Sequence, residues 1–221
     1  MFINTLDIKP AERVAILGKV GTVKSTLLKL LAGQATATRG KVTLDGVDMA
    51  HMDPADMRRQ VGFISQDSRL FFGSLRQNLM LGNPHASEQE LLAALRISGA
   101  LSMVQQDASS LERIIQEGGS GLSGGQRQMV PLSRLILRNP QIVLMDEPTA
   151  SMDEQLEEHV IRQMKSWLEG RTLVLVTHRP ALLKLVDRLI VIDNGRVIAD
   201  GPKDQILKAV SKPLDNAQQV A

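Results

Sequence analysis

The segment AILGKVGTVKSTLLKLLAG, Ala15 to Gly33, runs an apolar strand into a glycine-bearing turn, then Lys24-Ser25-Thr26, then leucines at helical spacing. Backbone N–H groups in such a turn, set at the positive end of the helix dipole, form a nest for anions. The pattern that cradles nucleotide phosphates puts glycine immediately before the lysine. Here that position is Val23. A nest alternates the hand of its backbone, so a left-handed residue is expected there, at roughly 1–2 kcal/mol for a side chain with a Cβ. Nucleotide affinity is then expected to fall by about one or two powers of ten, and the isopropyl group is expected to crowd the phosphate.

Working outward, RVAIL (Arg13 to Leu17), VGFISQD (Val61 to Asp67), IVLMDEP (Ile142 to Pro148) and TLVLVTH (Thr172 to His178) all read as strands. GKVTLDGVDM and DRLIVIDNGRVIADG are hairpins turning at Asp45-Gly46 and Asn194-Gly195. Ser25 to Ala32 is a helix stopped by Gly33, and Ser87 to about Ile115 has a helical pattern. Fully apolar strands between helices predict an α/β fold, a parallel sheet covered on both faces. Such sheets bind ligands at the carboxyl ends of their strands. Gly18 to Thr26, Asp146-Glu147 and His178 are therefore expected to line one crevice.

Bulk composition narrows the function. The chain has 221 residues, 43% apolar and 23% charged, which is globular. A net charge of +2 and an aromatic fraction of 2% argue against nucleic acid as a partner. The absence of cysteine rules out disulfides and thiolate metal sites. No apolar run approaches the roughly 20 residues of a membrane helix, and no signal peptide is evident.

In the expected crevice Lys24 would reach the β- and γ-phosphates, Ser25 would offer its hydroxyl to Mg²⁺, and Asp146 would hold that ion. Glu147, one residue beyond, stands where a base or water-orienting group belongs. His178 could bond the γ-phosphate, and Gln66 could meet both Mg²⁺ and the attacking water. In isolation Asp146-Glu147 could be a strand-end turn, His178 a packed histidine, and Gln66 without meaning. Their joint occurrence at strand ends favours a functional site. GLSGGQRQ (Gly121 to Gln128) adds a second phosphate-binding helix start, in the service of nucleotide on another copy.

These segments together resemble the ATP-binding cassette (ABC) ATPases. LSGGQ (Leu122 to Gln126) resembles the signature, GKVGTVKST the Walker A loop, IVLMDEP the Walker B strand with its catalytic glutamate, SQD (Ser65 to Asp67) the Q-loop, SMD (Ser151 to Asp153) the D-loop and VTHR (Val176 to Arg179) the H-loop. DSRLFFGSLRQNLMLG (Asp67 to Gly82) resembles the exporter type, and the segments around Glu117 to Gln128 and Leu168 to Arg179 are similar to bacterial type I secretion exporters. The resemblance implies a P-loop NTPase (RecA-like) core with an antiparallel β flank, formed by residues 1–66 and 141–221. Residues 67–140 would be an inserted helical subdomain carrying the signature. It implies ATP and Mg²⁺ as ligands. Gly18, Lys19, Val20, Gly21, Thr22, Val23, Lys24, Ser25, Thr26 and Gln66 would hold one face of ATP. Ser123, Gly124, Gly125 and Gln126 of a second copy would close the other. Ser25, Gln66 and Asp146 would hold the metal, with Glu147, His178, Lys24 and Gln66 in catalytic roles. It also implies a homodimer, transmembrane domains as partners, no nucleic acid, and a place at the cytoplasmic face of the bacterial inner membrane.

Two further departures set expectations. Pro131 lies in the helix after the signature, and a kink over Arg127 to Pro131 with a misaimed Ser123 is expected, at roughly 3 kcal/mol. The family's N-terminal strand, with the aromatic residue that stacks on adenine, is expected to be missing. Met1 falls after that point and Phe2 aligns with a later strand, so base recognition is expected to be weak. The start reads as an internal cut through a longer transporter polypeptide or a shortened product. With Val23, these features frame an alternative: a cassette that binds nucleotide or docks without useful turnover. A soluble ABC ATPase acting on DNA or ribosomes is disfavoured by the modest charge and the exporter-like Asp67 to Gly82.

Overall fold

The computed structural model describes residues 3–19, 23–105 and 110–210. In chain order it has β1 (Arg13–Leu17), α1 (Lys24–Leu31), the short pair β2 (Thr43–Leu44) and β3 (Val47–Asp48), α2 (Pro54–Gln60) and β4 (Val61–Ile64). Next come β5 (Gly73–Ser74), α3 (Leu75–Met80), α4 (Glu88–Ser98), α5 (Ser102–Gln105), β6 (Ile114–Ile115) and α6 (Gly124–Arg138). The chain closes with β7 (Ile142–Asp146), α7 (Glu154–Trp167), β8 (Thr172–Val176), β9 (Arg188–Asp193), β10 (Arg196–Pro202) and α8 (Lys203–Val210). The main sheet runs β10-β9-β1-β8-β7-β4, parallel except for the edge strand β10.

The apolar strands are apolar because both faces are covered. Val14, Ile16, Leu144, Val174 and Val176 face α1 and α2 through Leu27, Leu28 and Met57. Ala15, Val143, Met145, Leu173 and Leu175, one residue out of phase, face a larger core with Leu132, Leu135 and Met164. Both hairpin turns have positive φ at their two central residues, 50° and 81° at Asp45-Gly46 and 46° and 74° at Asn194-Gly195. That is the turn whose twist matches paired strands, and Asn, Asp and Gly reach it at least cost.

Two expectations change. The helical stretch after Ser87 ends early: Gly99 caps α4 with φ 80°, and Ile114–Ile115 pairs with Gly73–Ser74 as a two-residue ladder. Ile115 is buried while Ile114 is 55% exposed, an alternation that suits a strand better than a helix. Phe2 lies outside the described residues.

The second change concerns Pro131. α6 continues through it from Gly124 to Arg138, and Ser123 forms an intact capping box with Gln126. The Gln126 N–H donates to Ser123 Oγ at 3.1 Å, and the Ser123 N–H donates to Gln126 Oε1 at 3.0 Å. The reason is one of magnitude. Pro131 costs about 3 kcal/mol, whereas each fully buried aliphatic side chain contributes about 1.5–3 kcal/mol. α6 buries Met129, Val130, Leu132, Leu135, Ile136 and Leu137. A further buried tie joins Ser133 Oγ and Ser98 Oγ at 2.7 Å between α6 and α4. Pro131→Ala should restore a helical N–H and lose a little buried ring, raising stability by about 1–2 kcal/mol. A thermal melt should show a Tm about 2–8 °C higher; an unchanged or lower Tm would mean that the ring's packing outweighs the missing donor.

Candidate active site

The strand order arranges the chemistry. β1, β8, β7 and β4 are successive neighbours, and their carboxyl ends lie level: Ile16 pairs with Val176, Val176 with Asp146, and Ile64 with Met145. The residues beyond those ends are the loop leading to Lys24, then His178, then Asp146-Glu147, then Gln66. Lys24, His178, Asp146, Glu147 and Gln66 line one cavity of about 650 Å³, together with Ser25, Ala150, Met152, Val176 and Arg179. Thus Lys24, Ser25, Gln66, Asp146, Glu147 and His178, read from four separate segments, meet around one space.

Lys24 opens α1 and is only 4% exposed. Its ammonium donates to the carbonyls of Gly18 and Lys19, each at 2.8 Å. Burial lowers its pKa below the ordinary lysine value, and the negative charges of Glu147 and Asp146 offset part of that shift. A lysine so placed carries a concentrated charge for phosphate oxygens. Val23 has φ −66° and ψ 22°, so the left-handed conformation expected there is not adopted. Its side chain packs against the core cluster that holds Leu27 and Leu28. The strain invoked against nucleotide binding is therefore absent at Val23, and its isopropyl group is engaged with the core. Val20, Gly21 and Thr22 lie outside the described residues, and Thr26 is exposed and not part of the cavity wall.

Among the described residues of this site the left-handed one is Glu147, with φ 49°. Such a conformation costs about 1–2 kcal/mol for a side chain with a Cβ, and strain of this kind gathers where structure over-determines a functional group. Here the Glu147 N–H donates to the Val176 carbonyl at 2.9 Å, and Gln128 Nε2 reaches the Glu147 carbonyl at 3.4 Å. Glu147 Oε1 is buried without a hydrogen-bond partner among the described residues, 3.8 Å from His178 Nε2. Asp146, 4% exposed, is a buried carboxylate at the same strand end.

For Mg²⁺ the donors fit. Ser25, Gln66 and Asp146 offer hydroxyl, amide and carboxylate oxygens to a hard cation, which ordinarily completes its shell with phosphate oxygens and water. Among the described residues no cluster of three or more His, Cys, Asp or Glu could cage a metal by itself.

A family model described as ABC transporter matches residues 3–150. The chain belongs to the ABC transporter family. Among curated relatives, the cassette is 37% identical to the cyclolysin secretion/processing ATP-binding protein CyaB of Bordetella pertussis, over 93% of this chain and 29% of that protein. It is 36% identical to the alpha-hemolysin translocation ATP-binding protein HlyB of Escherichia coli, over 91% of this chain and 29% of the relative. It therefore spans less than a third of the length of these proteins. A solved structure of a bacterial Atm1-family ABC exporter with ATP bound superposes with TM-score 0.86 at 30% identity, covering 90% of this chain and 35% of that one.

The signature of the cassette stands apart from its own cavity. Ser123, Gly124, Gly125 and Gln126 are not in the cavity wall. Gly124 is required by close approach, since a Cβ there would lie 2.9 Å from the Ser151 side chain. Gln126 spends its side-chain oxygen on the helix cap. Two residues that the motif reading passed over matter here. Arg179 lines the cavity and clamps residues 149–152: its Nη1 donates to the carbonyls of Thr149 at 2.7 Å and Met152 at 2.9 Å, and its Nε pairs with the buried Glu157 at 3.0 Å. Thr177, 1% exposed, touches the Glu147 carboxylate. The only signal for either was adjacency to His178. The cassette contains no helix long and apolar enough to cross a membrane among the described residues.

Proposed function

We propose that this cassette is the ATP-hydrolysing motor domain of an exporter of the type I secretion kind, working as a homodimer with ATP between the copies. The observation that carries the reading is the convergence of Lys24, Ser25, Gln66, Asp146, Glu147 and His178 on one cavity from four neighbouring strand ends. The secretion and translocation proteins among its relatives support the choice of exporter.

In this reading the loop from Gly18 to Thr26 and the Lys24 ammonium bind the β- and γ-phosphates. Mg²⁺, when bound, neutralises phosphate charge, and Ser25, Gln66 and Asp146 are the residues to hold it. Glu147 accepts a proton from, or orients, the attacking water; His178 steadies the γ-phosphate. The N-terminal end of α6, with Ser123, Gly124 and Gly125, serves the nucleotide of the second copy, which is why it lies outside its own cavity. Residues 1–66 and 141–221 act as the core, and 67–140 as the subdomain that presents the signature.

The transmembrane partner has a suitable surface. A groove of about 260 Å³ is walled by Phe63, Phe71, Leu81, Arg69, Arg134 and Arg138 among others, and among the described residues its wall contains no carboxylate. Phe71, Phe72 and Leu81 are 58%, 69% and 58% exposed. Burial lowers the Arg134 pKa to about 10, which still leaves it cationic at neutral pH. An apolar segment of the membrane domain bearing a carboxylate suits that groove. Docking there would place the cassette at the cytoplasmic face of the bacterial inner membrane.

The test is phosphate release from ATP. Turnover should require Mg²⁺, should rise per chain with protein concentration as dimers form, and should fall by about tenfold or more in Ser123→Arg, whose side chain would occupy the closing face. A rate per chain independent of concentration and unaffected by Ser123→Arg would overturn the two-copy site. No Mg²⁺-dependent release at any concentration would overturn the motor reading itself.

A further inference from the structure

The Glu147 carboxylate has two oxygens in different surroundings. Oε2 lies 3.2 Å from the hydroxyl of Thr177, a residue that is 1% exposed. Oε1 is buried, has no hydrogen-bond partner among the described residues, and faces His178 Nε2 at 3.8 Å. The direction of the Thr177 bond follows from a third group. The Arg179 N–H donates to Thr177 Oγ1 at 2.9 Å, so a lone pair of that hydroxyl is already engaged. A carboxylate accepts and does not donate when ionised, so the Thr177 proton is directed at Oε2.

We infer that Thr177 is a positioning residue for the reaction: its hydroxyl holds Oε2 of Glu147 and so fixes the orientation of the carboxylate that acts on the attacking water. This rests on the reading of Glu147 as the water-activating group. The backbone ensures that Thr177 is available for the task. Val176 ends β8, its carbonyl accepts from the Glu147 N–H at 2.9 Å, and Thr177 is the next residue. The two residues are thus fastened at the main chain and at the carboxylate. A glutamate side chain left with one fixed end would sample several rotamers, and each misaimed rotamer removes the proton acceptor from the reacting geometry.

The experiment compares steady-state phosphate release by Thr177→Val, Thr177→Ser and Glu147→Gln with the parent. Thr177→Val keeps the branched shape and removes the hydroxyl. It should lower kcat about tenfold while leaving KM for ATP within about twofold, because the hydroxyl acts on the base rather than on nucleotide. Thr177→Ser keeps the hydroxyl and should stay within about threefold of parent kcat. Adding Thr177→Val to Glu147→Gln should cost nothing further, since both act through one carboxylate. Parent-level kcat in Thr177→Val, with Glu147→Gln inactive, would overturn this inference alone. Equal losses in the valine and serine variants would do the same, by assigning the effect to packing. Parent-level turnover in Glu147→Gln would instead overturn the role given to Glu147, and this inference with it.

Discussion

Replacing Glu147 with glutamine should lower phosphate release by at least about a hundredfold, the range for removing a positioned general base, while ATP stays bound. Glutamine has nearly the same shape and its amide oxygen can still accept from the Thr177 hydroxyl, which now lies 3.2 Å from Glu147 Oε2. The backbone ties to Val176 and Gln128 are also untouched. What changes is basicity at the buried, unpartnered oxygen beside His178. A variant that binds but cannot hydrolyse should collect as an ATP-filled dimer, seen by size exclusion in MgATP. Parent-rate hydrolysis would assign water activation elsewhere.

The second large effect is on stability. Arg179→Ala removes the cation beside Glu157, whose carboxylate is 5% exposed and would keep only the Thr149 hydroxyl. Stranding a buried charge costs about 3–5 kcal/mol. Because the Arg179 side chain is 30% exposed, solvent screens part of this, and about 2–3 kcal/mol is the expected loss. That corresponds to a Tm roughly 4–12 °C lower for a domain of this size. Adding Glu157→Gln removes the stranded charge, keeps an acceptor for Thr149, and should recover about half. If the single variant melts at the parent temperature, the arginine does not clamp residues 149–152. The same variant should hydrolyse ATP more slowly, since the carbonyls it releases border the cavity that Met152 and Ala150 line.

Val23 and Pro131, the two apparent defects, show where motif reading and packing diverge. Both were judged by the cost of one residue in one conformation. Val23 avoids that cost at φ −66° and joins the core around Leu28. At Pro131 the cost is incurred and outweighed by the buried face of α6. Neither outcome is visible locally, because the compensating contacts come from other strands and helices. Ile114 and Ile115 show the reverse error, where a helical pattern was extended over residues that pair with Gly73 and Ser74. Two-residue ladders are too short to announce themselves by period.

By itself the sequence determined the strand ends, the two hairpin turns and the residues that meet in the candidate site. These depend on side-chain chemistry, on hydrophobic period and on backbone hand, all of which are local. Tertiary structure alone decided that Glu147 carries the left-handed backbone, that its two oxygens are unequal, and that Arg179 ties the segment after β7 to the segment after β8. Those features arise from the neighbourhood of β7 and β8 in the sheet, and strand order is a balance of packing over the whole chain.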